Sequence, residues 1–151
     1  MFSRYRSLFA LALIGMAAVS TTATAAGTTA EDECLNVDLA RGATFEDNSI
    51  LIRQGREQYR RLEVTGTCPL SEADRVSAIS AGGVRKHISY VGDRMIPRSF
   101  GGIAPKVCSK TRFKNVHLVK EDGASREYVD CEIVNVSAAT EQEFRAGRPS
   151  R

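Results

Sequence analysis

The sequence predicts a mostly β fold: a small antiparallel sheet or barrel of six to seven short strands, two disulfides and a short C-terminal helical turn. Three observations predict it. Short aliphatic runs at 50–52 and 62–64 flank a polar connection holding Gly55, and Val129, Cys131 and Ile133 recur at every second residue, as a half-buried strand requires. Gly92-Asp93 and Asp122-Gly123 punctuate the chain as tight turns do. Four cysteines, none spaced as Cys-x-x-Cys, offer cross-links to a domain with no tryptophan to anchor its core.

Taken in order, the chain opens as a secretory signal peptide over residues 1–25. Arg4 and Arg6 precede an apolar run at 8–19, and Ala23-Thr24-Ala25 supplies the small-x-small cleavage pattern. The run is shorter than the ~20 apolar residues a membrane span needs, so no transmembrane anchor is expected after cleavage. Export to the periplasm or beyond follows, and an even number of cysteines there favours disulfides at Cys34, Cys68, Cys108 and Cys131. Of three possible connectivities, sequential pairing is expected: Cys34 with Cys68, and Cys108 with Cys131. The chain carries 21 basic and 18 acidic residues; without Arg4 and Arg6 the balance is 19 against 18, a net of +1. Nothing in that balance attracts nucleic acid or an anionic membrane globally.

Residues 26–33 read as a flexible lead-in, 34–137 as a single β-rich domain and 138–151 as a C-terminal tail. Cys34 to Leu39 alternates as a first strand, broken by Arg41-Gly42-Ala43. An acidic turn at Phe45-Glu46-Asp47-Asn48 enters a hairpin that closes on Thr67-Cys68-Pro69. Ile50 and Ile52 share one face of its first strand, Leu62 and Val64 one face of its second. Ser71 to Asp74 resembles a capping box, and Ala73, Val76 and Ile79 recur every three residues, a pattern open to a helix or a strand. His87 to Val91 and Arg94 to Ile96 make strands around Gly92-Asp93, while 97–105 is a Gly/Pro loop. Residues 110–120 and 128–136 form the second hairpin about Asp122-Gly123. Thr140-Glu141-Gln142-Glu143 marks a last helical turn, and 147–151 a frayed end.

Candidate chemistry is sparse. His87 and His117 are the only histidines, so either would be the base of a hydrolase; no zinc-type spacing links them to the cysteines, and neither a metal nor another cofactor is expected. Gly123-Ala124-Ser125 starts like a nucleophile elbow but lacks the closing glycine, which leaves Ser125 a turn hydroxyl. Glu46-Asp47 and Glu121-Asp122 are the carboxylates a glycosidase could pair. Lys110, Arg112, Phe113 and Lys114 form a basic stripe with one aromatic, the candidate binding surface on a strand face. Arg53, Arg56, Arg60 and Arg61 make a second cluster that Glu57 and Glu63 would neutralise.

Cys34, the segment Phe45-Glu46-Asp47-Asn48-Ser49-Ile50-Leu51-Ile52, Gly66-Thr67-Cys68-Pro69-Leu70, Ala73-Asp74-Arg75-Val76, Gly92-Asp93-Arg94-Met95-Ile96 and Cys131-Glu132-Ile133 occur in that order. The chain thereby resembles a family of small exported proteobacterial proteins without an assigned activity. The likeness implies a strand rather than a helix at 73–79; the displaced Cys108 departs from the family's pattern. It brings no site residues. The expectation is an exported, disulfide-braced module that binds an envelope component or another protein without catalysis. The alternatives are a small periplasmic or secreted hydrolase and a periplasmic enzyme inhibitor.

Overall fold

A computed structural model describes residues 33–98 and 105–151. The leader, most of the lead-in and the heart of the Gly/Pro loop lie outside the described residues. Along the chain come β1 (Leu35–Asn36), a 3-10 turn (Val37–Leu39), β2 (Ala40–Phe45), β3 (Ser49–Gln54), β4 (Gln58–Val64), β5 (Arg75–Ala81) and β6 (Val84–Val91). Then follow β7 (Arg94–Pro97), β8 (Lys106–Val107), β9 (Asn115–Asp122), β10 (Ser125–Ala139), α1 (Glu141–Ala146) and β11 (Arg148–Pro149). Nine strands make one curled antiparallel sheet, ordered β11-β2-β3-β4-β10-β9-β5-β6-β7, and β1 pairs with β8 beside it.

The fold is mostly β and antiparallel, with more strands than the six or seven expected. Three of them are two residues long, too short to show a period. The first strand stops at Asn36, and Arg41-Gly42-Ala43, expected as a break, belongs to β2. A register shift between Ala40 and Gly42 bulges Arg41 out of the ladder, which hides the alternation. Both anticipated hairpins form. Gln54 pairs with Gln58 around Gly55, whose φ of 65° suits a residue without Cβ. Asp122 pairs with Ser125 around Gly123-Ala124.

Residues 75–81 are a strand, not a helix. The three-residue recurrence has a local cause: the ladder slips between Val76 and Ala78, so Ser77 is an extra residue. Val76 and Ile79 therefore point into the same core although they are an odd number of positions apart, and both are fully buried. That core lines the inside of the curl, where Ile50, Ile52, Leu62, Val116, Leu118 and Ile133 meet.

Above the bulge, β6 parts from β5. Their pairing begins only at Ala78 with His87, while Ile88 to Val91 pair with β7 instead. Val76 is left with a peptide group that faces no strand. The Tyr90 hydroxyl replaces the ladder: it accepts from Val76 N–H at 3.2 Å and donates to Val76 C=O at 2.9 Å, with Ser150 Oγ at 3.1 Å. Freed from β5, the β6–β7 hairpin swings round until β7 packs against β2.

The end of the chain seals this seam instead of fraying. β11 pairs with β2, Ser150 is buried and Arg151 N–H donates to Asp74 C=O. Arg148 donates to Leu70 C=O and lies over the Phe45 ring. The expected helical turn is α1. Thr140 and Glu143 cap it reciprocally, and hydrogen bonds from Thr140 hold the Glu143 carboxyl below its usual pKa. Its Phe144 packs on Tyr59 at 5.2 Å, covering the outer face of β2–β4.

Two disulfides form, but not sequentially: Cys34 joins Cys108, and Cys68 joins Cys131. The pairing follows the sheet. Cys108 follows β8, which pairs with β1 immediately after Cys34; Cys131 lies on β10 beside β4, whose exit carries Cys68. Each bond closes a loop of more than sixty residues, with sequence separations of 74 and 63. In the chain-entropy model each contributes about 4 kcal/mol.

Peptide mapping of non-reduced protein should recover Cys34–Cys108 and Cys68–Cys131 fragments; a Cys34–Cys68 fragment would refute the topology. Burial raises the Tyr90 phenol above its ordinary 10.0, against the lowering influence of Ser150, Val76 and Arg75. A folded-state pKa above the unfolded one means the contribution is complete below pH 10.0 and lost as pH climbs through the folded value. Unfolding free energies should show an alkaline decline that Tyr90→Phe removes, while the variant itself loses about 1–3 kcal/mol at neutral pH through the orphaned Val76 peptide.

Candidate functional site

The outer face of β5, β6, β9 and β10 carries a groove of about 720 Å³. Register builds it. His87, Ala78, His117 and Asp130 stand in one row across four strands, each paired with the next. Ala78 is the smallest member of that row, and the groove opens over it. Arg75, Ser77 and Ser89 extend the lining beside Val119, with Arg126 and the exposed Tyr128 on the β10 side.

His117 is the centre. It is 6% exposed on a face otherwise open to water. Its Nδ1 meets Asp130 Oδ1 in a short contact, and its Nε2 lies 3.0 Å from Ser80 Oγ. A carboxylate can only accept, so Nδ1 carries the hydrogen and donates to Asp130. In the neutral ring Nε2 is then an acceptor, and the Ser80 hydroxyl donates to it. Arg85 Nη2 sits 3.3 Å from Nδ1, where both groups are donors; it borders the ring as a cation, not as a hydrogen-bond partner. Ser77, the bulge residue, donates to the His117 carbonyl at 3.0 Å. Serine, histidine and carboxylate thus lie in line across β5, β9 and β10.

Sequence reading named His117 but missed Ser80 and Asp130. Asp130 was within reach. A two-residue turn at Gly123-Ala124 pairs positions 122 and 125, and counting outward from it sets His117 against Asp130. Ser80 was not, because the neighbour of β9 on its other side is fixed only by the tertiary fold. His87 joins the groove wall and is exposed. The carboxylates a glycosidase would pair stay apart on separate hairpins: Glu46 is held by Arg61, Glu121 by Arg75 and Arg126. Ser125 is a turn hydroxyl, donating to Asp122 C=O at 2.9 Å.

The basic stripe is not a strand face. Residues 110–114 are a loop, and β9 starts only at Asn115. Lys114 turns inward, buried, and its ammonium donates to the carbonyls of Ser109 and Thr111 at 2.7 and 2.8 Å. Lys110 and Arg112 remain exposed. Phe113 is 82% exposed and adopts φ 52°, a left-handed conformation that costs an L-residue roughly 1–2 kcal/mol. Both neighbours hold it there: Arg112 C=O accepts from Gly82 N–H, and Lys114 C=O accepts from Ile133 N–H. The second cluster also divides. Arg60 is buried against the Cys34 and Tyr59 carbonyls, Arg61 bridges Glu46 and Glu143, and Arg53 faces another way.

Among the described residues no group of three or more His, Cys, Asp or Glu could hold a metal ion, and no helix is long and apolar enough to cross a membrane. No family model, curated protein or solved structure matches this chain.

Phe113→Gly should raise thermal stability, by roughly 0.5–1 kcal/mol, since glycine accepts the left-handed backbone and the lost ring buries little. A lowered melting temperature would show that the ring contributes packing to the fold.

Proposed function

We propose that the protein is an exported binding module whose outer-face groove takes an acidic saccharide. The observation that carries this reading is the composition of the groove wall around His117. Ser77, Ser89, the exposed His87 and the Tyr128 ring offer the hydrogen bonds and the flat surface that sugars use, and three arginines face one carboxylate there. Glu121 engages Arg75 and Arg126, which leaves Arg85 as the cation without a carboxylate partner among the described residues. An anionic substituent beside Arg85 completes that arrangement. Charge near the centre of a rigid sheet also favours binding over motion, since every strand that lines the groove is laddered.

The line of Ser80, His117 and Asp130 supports a second reading, a hydrolase with Ser80 as nucleophile and His117 as base. Two features weigh against it. Ser80 is not among the groove-lining residues. It also pairs on both sides, with Arg85 and Asn115, so the backbone N–H groups around it are committed to ladders and unavailable to an oxyanion. Asp130 and Ser80 then serve to fix the His117 ring as part of the groove wall.

Calorimetric titration of the disulfide-bonded protein with galacturonate oligomers should show saturable binding. Arg85→Gln should weaken it about tenfold, and neutral oligomers of the same length should bind no better than that variant. Absence of binding to the acidic oligomers would refute the reading. Labelling of Ser80 by a fluorophosphonate, lost in His117→Ala, would replace it with the hydrolase.

A further inference from the structure

Away from this groove, Arg41, Arg53 and Arg94 line a cavity of about 470 Å³ where the β6–β7 turn, the β2–β3 pair, α1 and the end of the chain meet. Several arginines elsewhere have found acids: Arg61 with Glu46 and Glu143, Arg75 with Glu121, Arg145 with Glu141. These three have not. Among the described residues none of them lies within ion-pair distance of a carboxylate. Arg41 spends one nitrogen on the carbonyls of Asp38 and Ala40. Among the described residues the Arg53 side chain makes no hydrogen bond or ion pair, and its Nε is buried without a partner.

Local structure explains how this is tolerated. The bulge that expels Arg41 brings Gly42 opposite Arg53 in the ladder, so β2 contributes no side chain there. Phe144, Val91 and Pro149 supply an apolar wall, and Asp93 is the one acidic residue of the lining. Desolvating an arginine donor without an acceptor is costly, and folds avoid it unless something else completes the site.

We infer that this cavity binds a phosphate-bearing ligand, with the phosphate held by Arg53 and Arg94 and the remainder against Phe144 and Val91. Three guanidiniums against Asp93 leave two positive charges uncompensated, which suits a phosphate dianion better than a single carboxylate. The guanidinium fork matches phosphate oxygens in pairs. A soluble phosphate ester and a phospholipid headgroup share this chemistry, and separate arms of one experiment distinguish them.

The disulfide-bonded protein, Arg53→Gln, Arg94→Gln and the surface control Arg56→Gln are melted in millimolar inorganic phosphate and in chloride of equal ionic strength. In parallel, their flotation with phosphatidylglycerol vesicles is compared with that on phosphatidylcholine vesicles. Phosphate should raise the melting temperature of wild type and Arg56→Gln, and both cavity variants should lose about tenfold in phosphate affinity. Arg94 is exposed at the start of β7, so its variant keeps the test independent of any effect of Arg53 on folding. Vesicle binding that depends on phosphatidylglycerol, Arg53 and Arg94, with no response to free phosphate, assigns the site to a lipid headgroup. A phosphate response equal in all four proteins, or no response in either arm, overturns the inference.

Discussion

The shape of this molecule depends on how one peptide group, that of Val76, is satisfied. The extra residue at Ser77 breaks the β5 ladder, and β6 no longer runs alongside. An unpaired buried peptide would ordinarily forbid such a break. Tyr90 removes the objection, because one hydroxyl can accept from the N–H and donate to the C=O of the same residue. With Val76 satisfied, β6 can leave with β7 and carry the sheet round until β7 reaches β2. The result is a half-barrel in which, among the described residues, β7 and β2 pack together without strand pairing. Both clefts follow from that departure. One opens over Ala78 below the break, and the other opens at the seam where the β6–β7 turn meets α1 and the end of the chain.

The seam needs closure because an incompletely paired edge exposes backbone and core alike. The last residues supply it by three different means: strand pairing at Arg148–Pro149, the buried Ser150 beside Tyr90, and Arg151 N–H on Asp74. Gly147 permits the approach; a Cβ there would lie 2.7 Å from Thr44 Oγ1. Across the sheet the disulfides fix what the curl leaves loose. Cys34–Cys108 secures the small β1–β8 pair and the root of the Phe113 loop, and Cys68–Cys131 ties the connection leading into β5 to the middle of β10.

What the sequence revealed was local. The hairpins about Gly55 and Gly123 were legible because turn chemistry and alternation agree there, and the capping box of α1 was legible for the same reason. Residues 73–79 were ambiguous because a bulge adds one residue to a period of two, and a spacing of three is what a helix also shows. The cysteine pairing was read wrongly for a different reason. Neighbours in sequence are not neighbours in a sheet whose order places β10 against β4 and β8 against β1. The basic stripe failed because strand parity was carried past the true start of β9, into a loop where Lys114 is a fastener rather than a surface charge. Of the groove, the histidines stood out from the sequence and Asp130 could be reached by counting from the turn, whereas how the four strands lie side by side is fixed only by the tertiary fold.

Charge gives the clearest case of sequence proximity misleading. A net of +1 for residues 26–151 is a weak overall charge. It conceals how the compensation is distributed. Arg53, Arg56, Arg60 and Arg61 are close in the chain, yet Arg60 and Arg61 go to different partners, and among the described residues Arg53 and the exposed Arg56 end with none. Arg41 and Arg94, distant from it in sequence, become its neighbours only after the bulge in β2 and the swing of β6–β7. Opposite charges near one another in water neutralise each other cheaply, so a fold with 18 acids had ample means to satisfy these three arginines. It pairs Arg61 twice and Glu121 twice yet leaves three arginines open together at one concave, partly apolar site. Such a site acts on a ligand at contact distance, where the weak overall charge of the protein is irrelevant.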